Sequence, residues 1–206
     1  MRQAILAALT VAALGALAVS PSQAAQKMAV FAGGCFWSME KAFDEVPGVT
    51  QTISGFSGGS VPDPTYRDVV RGGTGHVEAV QVTYDDQRVS YDQLLSAYWH
   101  AIDPTDPSGQ FCDKGPQYET VIFAGDAAEQ ASAQSSRQAV AAELGKPVAT
   151  RIEASAPFYA AEAEHQNFHV TNAAHYQRYV TGCGREGALA RVWGARAAAK
   201  TPALAG

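Results

Sequence analysis

Two periods run along this chain. Residues 28–32 form a short apolar run, the pattern of a buried strand, and it enters Gly33-Gly34. From Cys35 the period changes. Phe36, Met39 and Phe43 recur at helical spacing, and the predicted helix runs to Val46, where Pro47-Gly48 stops it. Residues 49–56 can form a second strand. A loop rich in Gly and Pro follows, then a helical turn over 65–70 and a turn at Gly72-Gly73-Thr74-Gly75. That glycine run lacks the Lys of a phosphate-binding loop and opens a strand, so it is read as a turn. In the third strand, residues 76–84, alternation puts Glu78 on one face with Val80, Val82 and Tyr84.

Ser90 and Gln93 match a capping box, opening a helix to Ala101 whose apolar face is Leu94, Leu95, Tyr98, Trp99 and Ile102. A polar loop with three prolines covers 103–117. A fourth strand spans 118–124, and Asp126 with Glu129 starts a long helix that ends near Gly145. Residues 148–152 read as a fifth strand. The last fifty residues are less regular, with a helix expected over 160–168. The core order of strand, helix, strand, strand, helix, strand predicts an α+β fold. It has a ferredoxin-like split βαβ core, with an extra helix, an extra strand and an irregular C-terminal tail. A doubly wound parallel sheet is disfavoured by the two successive strands. One domain is expected over 25–194, with a flexible Ala-rich tail over 195–206.

Composition adds limits. A hydrophobic content of 47% over 206 residues suits one globular domain, and a net charge of −5 argues against a general nucleic-acid binder. At the N-terminus Arg2 precedes an apolar stretch over 4–19, and Ser22-Gln23-Ala24 supplies small residues at cleavage positions. This is the pattern of a signal peptide over 1–24. The run is shorter than the roughly 20 residues of a spanning helix, so no stable membrane anchor is expected. Export to a bacterial periplasm is the expected location. Three cysteines remain after that leader: Cys35, Cys112 and Cys183. An odd and sparse set points to redox chemistry rather than stapling.

Cys35 follows a strand and a glycine pair and opens a helix. Unpaired amides and the helix dipole there are expected to favour a thiolate. The alternative is a small buried core residue. Glu78, on the apolar face of its strand, should have a raised pKa and serve as a proton donor. Otherwise it is a strand-end carboxylate reaching water. A reactive thiol beside a neutral carboxyl suits attack on a polarised, oxygen-bearing centre. Phe36 and Trp37 point in different directions, so one can pack inward while the other lines a pocket. Tyr66 and Tyr118 sit beside Gly- and Pro-rich loops, where hydroxyls can face a site.

These residues resemble a known family. Gly33-Gly34-Cys35-Phe36-Trp37 is similar to the signature of the A-type peptide methionine sulfoxide reductases. The likeness extends in order through Pro64-Thr65-Tyr66, Gly75-His76-Val77-Glu78, residues 113–118 and residues 157–162. The resemblance implies a ferredoxin-like core and reduction of the S epimer of methionine sulfoxide, free or in proteins. It implies Cys35 as the nucleophile that becomes a sulfenic acid, and Glu78 as donor to the sulfoxide oxygen. Tyr66 and Tyr118 would bind that oxygen, and Phe36 and Trp37 would hold the substrate methyl group. Asp113 would fix the substrate backbone or the water network. Ser38 stands where the family commonly has Gly, and Cys112 where many members have no cysteine. Only Cys183 lies in the C-terminal region, where many members carry two recycling cysteines.

The expected cycle needs no metal or organic cofactor. A second thiol condenses with the sulfenic acid, and a thioredoxin-like dithiol protein reduces the disulfide. Cys183, between two glycines, is expected to swing in and bridge to Cys35, with Cys112 as its competitor. A thiol peroxidase is the first rival, but no cationic residue closely flanks Cys35 in sequence. A non-catalytic binder of oxidised peptides is the second. His165, His169 and His175 lack the Glu of a hydrolytic zinc helix, and His165 is given a structural or supporting role. A monomer is expected.

Overall fold

The computed structural model describes residues 26–198. The leader expected over 1–24 lies outside them, as do residues 199–206. The elements follow in order: β1 (Gln26–Gly33), α1 (Phe36–Asp44), β2 (Val49–Ser57), α2 (Tyr66–Arg71), β3 (Val77–Asp85), α3 (Tyr91–His100), β4 (Gly109–Gln110), β5 (Asp113–Lys114), β6 (Thr120–Ala124), α4 (Ala127–Leu144), β7 (Arg151–Ala154), β8 (Tyr159–Ala160), α5 (Phe168–Thr171), α6 (Ala173–Cys183) and α7 (Arg185–Trp193).

One six-stranded sheet has the order β7-β6-β1-β3-β2-β8. Its inner four strands, β6-β1-β3-β2, pair antiparallel throughout, which is the split βαβ arrangement read from the sequence. Helix α4 then returns the chain to add β7 parallel to β6 at one edge, and β8 covers the other edge beside β2.

Phe31, Val80, Val82, Tyr84 and Ile122 turn toward α1, α3 and α4, joining Phe36, Met39, Phe43, Leu94, Leu95 and Tyr98 in the main core. The opposite sheet face is smaller and packs Ala32, Val77, Ala79, Val121 and Phe123 against Phe158. Ser90 closes a reciprocal capping box with Gln93, and Asp126 accepts from the Glu129 amide. Both helices therefore start where their polar residues can satisfy orphan amides.

The C-terminal third departs from the sequence reading. Residues 160–168 are not a helix. They pass from β8 through a 3-10 turn (Ala163–His165) to Asn167, whose φ is 50°. Helices α6 and α7 follow where an irregular tail was expected. The fifth strand lies three residues later at its start than predicted. The ordered chain also passes residue 194. Gly194–Ala198 forms a 3-10 turn, Ala197 packs on the main core and Arg196 pairs with Glu143, so the tail boundary at 195 is too early.

Candidate active site

Cys35 is the N-cap of α1, reached through Gly34, which has φ 78°. A Cβ on Gly34 would meet Gln110 Cβ at 2.5 Å, so this tight strand-to-helix turn needs glycine twice over. The thiol is 6% exposed and makes no side-chain cap. The first free amide of the helix, on Phe36, donates instead to Glu78 Oε2 at 2.9 Å. This corrects the sequence expectation. The helix N-terminus is spent mainly on the neighbouring carboxyl, and the Trp37 amide is only a minor help to the sulfur. Burial, then the Glu78 charge, push the Cys35 thiol well up from its ordinary value. At rest Cys35 is a protonated thiol.

Glu78 is 2% exposed in the middle of the sheet. Burial pushes its pKa up to about 8, the Phe36 amide pulls it back part of the way, and Asp113 adds to the rise. The alternation argument therefore placed this side chain correctly, and at neutral pH it holds a proton to give. Tyr66, first residue of α2, and Tyr118, at the end of a 3-10 turn (Pro116–Tyr118), are partly buried. Both hydroxyls are pushed up by burial and then by the Glu78 charge, with Cys35 and Asp113 adding to it, so they converge on the same few groups.

The two aromatics after Cys35 differ in burial. Phe36 is 1% exposed and packs among Phe56, Tyr66 and His165. Trp37 is partly buried and stacks face to face on Phe168, with centroids 3.8 Å apart. Asp113, in β5, accepts a 2.5 Å hydrogen bond from the Tyr179 hydroxyl. That same hydroxyl lies against the Cys35 sulfur and meets Trp37 edge-on. Neither Tyr179 nor Phe168 is named as a site residue in the sequence reading. The signal for Tyr179 is its place four residues before Cys183, visible only once a helix is assigned there. His165 lies tilted against Tyr66, with ring centroids 4.2 Å apart, and Glu162 accepts from the Tyr66 amide. His169 faces Asp44, and His175 packs on Trp37 and Phe168.

The three cysteines are arranged differently from the expectation. Cys112 and Cys183 form a disulfide with Cα atoms 5.1 Å apart, and Cys35 is the free thiol. Cys183 does not bridge to Cys35, and it does not sit in a flexible glycine flank. It ends α6, and Gly184 caps that helix in the left-handed conformation. Cys112 sits at the tip of the two-residue turn between β4 and β5, next to Phe111, whose φ is 52°. The Arg185 guanidinium, at the start of α7, lies 4.6 Å over the Phe111 ring and holds the turn against the α6–α7 junction. Cys112 and Cys183 are thus a pair rather than competitors. A cavity of about 300 Å³ lies behind α1, lined by Lys41, His100 and Tyr176 among others, and none of Cys35, Glu78, Tyr66 or Tyr118 lines it.

Residues 27–197 match the family model described as peptide methionine sulfoxide reductase. The peptide methionine sulfoxide reductase MsrA of Bacillus subtilis (strain 168) is 46% identical over 174 residues, covering 83% of this chain and 98% of that protein. MsrA 2 of Caulobacter vibrioides is 44% identical over 194 residues, covering 94% and 98%. Among solved structures, methionine sulfoxide reductase A of Corynebacterium diphtheriae superposes with a TM-score of 0.65 at 32% identity, over 74% of this chain and 77% of that one. Reduced Mxr1 from Saccharomyces cerevisiae gives 0.68 at 27% identity, over 75% and 88%.

Proposed function

The chain belongs to the peptide methionine sulfoxide reductase family, and from that premise we propose that it reduces the S epimer of methionine sulfoxide, free or in proteins, through Cys35. The observation that carries the chemistry is the Phe36 amide on Glu78, which holds a protonated carboxyl at the foot of the helix that Cys35 opens. In this reading the sulfoxide oxygen lies between Glu78 and the hydroxyls of Tyr66 and Tyr118, and the methyl group lies on Trp37 with Phe36 beneath. Asp113 orders the peptide or water beside it.

The step balances without a cofactor. The Cys35 sulfur attacks the sulfoxide sulfur while Glu78 protonates the sulfoxide oxygen, the resulting hydroxyl passes to the Cys35 sulfur as the new sulfur–sulfur bond breaks, and the thiol proton returns to Glu78. A sulfenic acid remains on Cys35 and the methionine thioether leaves. The buried thiol gives up its proton only when the electron-poor sulfur and its hydrogen-bonded oxygen are in place, which ties ionisation to bound substrate.

Recycling then uses both other cysteines. The Cys183 thiol condenses with the sulfenic acid and expels water. Cys112 attacks Cys183, which frees Cys35 and leaves the Cys112–Cys183 disulfide, the state of this structure. A thioredoxin-like dithiol reduces that exposed bond by exchange. The leader-like pattern over 1–24 supports export to the periplasm and repair of exported proteins there. Among the described residues no helix is long and apolar enough to cross a membrane. Turnover of separated R and S sulfoxides with a dithiol reductant tests the reading. Rapid loss of the S epimer alone is expected, and equal rates on both, or faster reduction of hydrogen peroxide, would overturn it.

A further inference from the structure

Cys112, Asp113 and Cys183 bring their sulfur and carboxylate ligand atoms within 4.8 Å of one another. The carboxylate is oriented. Oδ2 is held by the Tyr179 hydroxyl at 2.5 Å, while Oδ1 faces the Cys112 sulfur at 3.9 Å. Fixing one oxygen from a second residue so that the other points at the metal position is how ligating carboxylates are commonly held. Cleaving the S–S bond lets the sulfurs part to the roughly 3.8 Å that two thiolates keep around one tetrahedral zinc. Cys112 is exposed, so an ion can enter from solvent.

The charges also match. Two thiolates and Asp113 carry three negative charges. Of the two cations that act on Asp113, Lys114 is paired with Asp106, while Arg185 is committed to the Ala101 carbonyl and the Phe111 face. One unpaired positive charge against three negative ones leaves two to be neutralised, the charge of a divalent ion. We propose that the reduced protein binds one thiophilic divalent cation, Zn²⁺ or Cd²⁺, through Cys112, Cys183 and Asp113, with solvent at a fourth position. Binding displaces the two thiol protons and blocks recycling, because both thiols that would form the surface disulfide are then metal-bound. Cys35 lies outside the ligand set and stays a free thiol. The site rests on the proposed recycling in one respect, that the Cys112–Cys183 bond is reducible.

The test uses the full-length reduced protein, freed of reductant and titrated with Cd²⁺. One equivalent should raise a thiolate-to-cadmium charge-transfer band, absent from the oxidised protein. Cys35→Ser should keep the band, and Cys183→Ser should lose it. Asp113→Asn should weaken Zn²⁺, measured against a chromophoric chelator, by roughly tenfold or more. In wild-type protein, Zn²⁺ should protect Cys112 and Cys183 from alkylation while Cys35 is modified at its usual rate, and a chelator should reverse this. No band in a reduced protein with three free thiols, a band that survives Cys183→Ser, or protection centred on Cys35 would each overturn the site. Wild-type recycling by Cys112→Ser would overturn the relay instead and leave the metal result standing.

Discussion

The Cys35 centre and the Cys112–Cys183 edge do consecutive work in the proposed cycle, yet they are built from different materials. Cys35 and Glu78 stand on α1 and β3, inside the main layer of core, and both are almost fully buried. The disulfide joins a two-residue turn to the end of a peripheral helix, with Cys112 in solvent. Chemistry that needs a dry, shaped site with shifted protonation states belongs in the rigid core. Exchange with another protein needs an accessible bond on elements that can move. Tyr179 joins the two regions, with its hydroxyl on Asp113 and Cys35 and its helix carrying Cys183.

The largest effect should come from the core. Cys35→Ser is expected to abolish both single and multiple turnovers with any reductant, because an alcohol is not ionised near neutral pH. Residual product with dithiothreitol above the level of a heat-killed control would break the division of labour. At the edge, Cys183→Ser should leave one turnover per chain intact and stop multiple turnovers with a thioredoxin-like protein. Peptide mapping of wild-type protein after turnover should give Cys112–Cys183. A stable Cys35–Cys183 bridge as the final product would show that Cys112 takes no part.

Glu78→Gln sharpens the core side. It keeps size and the Phe36 contact but removes the transferable proton, so sulfenic acid formation should slow by roughly 10²-fold. In the parent enzyme this step should fall as pH rises through about 8, where the buried carboxyl loses its proton. The variant should lack that descending limb. An unchanged limb in Glu78→Gln would move the acid to one of the tyrosines.

The same contrast decides what the sequence could reveal. The position of Glu78 is legible because a strand fixes its faces by alternation, which puts the carboxyl with Val80, Val82 and Tyr84, and its burial excludes the alternative of a strand-end group reaching water. Cys35 was placed at a helix start by Gly33-Gly34 and the change of period. Its ionisation was misjudged because burial and the competition of Glu78 for the Phe36 amide are tertiary facts. In α6 only Tyr176 and Val180 are buried, too thin an apolar stripe to announce a helix, so nothing in the sequence marks Tyr179 as facing Cys35. The Cys112–Cys183 pairing spans 71 residues, and three cysteines permit three pairings with no local signal to choose among them.

The smallest expected effect concerns a second buried carboxyl in α1. Glu40 is fully buried, five residues after Cys35. Neither of its oxygens closes a hydrogen bond of good geometry, although the Asn167 and Phe168 amides and the Ser54 hydroxyl lie near enough to act on it. Burial pushes its pKa up to about 7, with Asp44, which also faces His169, adding to the rise. A carboxyl whose folded pKa lies above its unfolded value binds more protons in the native state. Its contribution is therefore complete below the unfolded pKa of 4.5 and is lost as pH rises through about 7. Glu40→Gln cannot ionise, so it escapes that loss. Between pH 5 and pH 8 its stability should improve relative to the parent by roughly 2 kcal/mol, a few degrees in Tm. Every other titrating group is shared, so the difference between two calorimetric series isolates Glu40. Parallel Tm curves across that interval would mean that the Asn167 and Phe168 amides keep the carboxylate ionised in the fold.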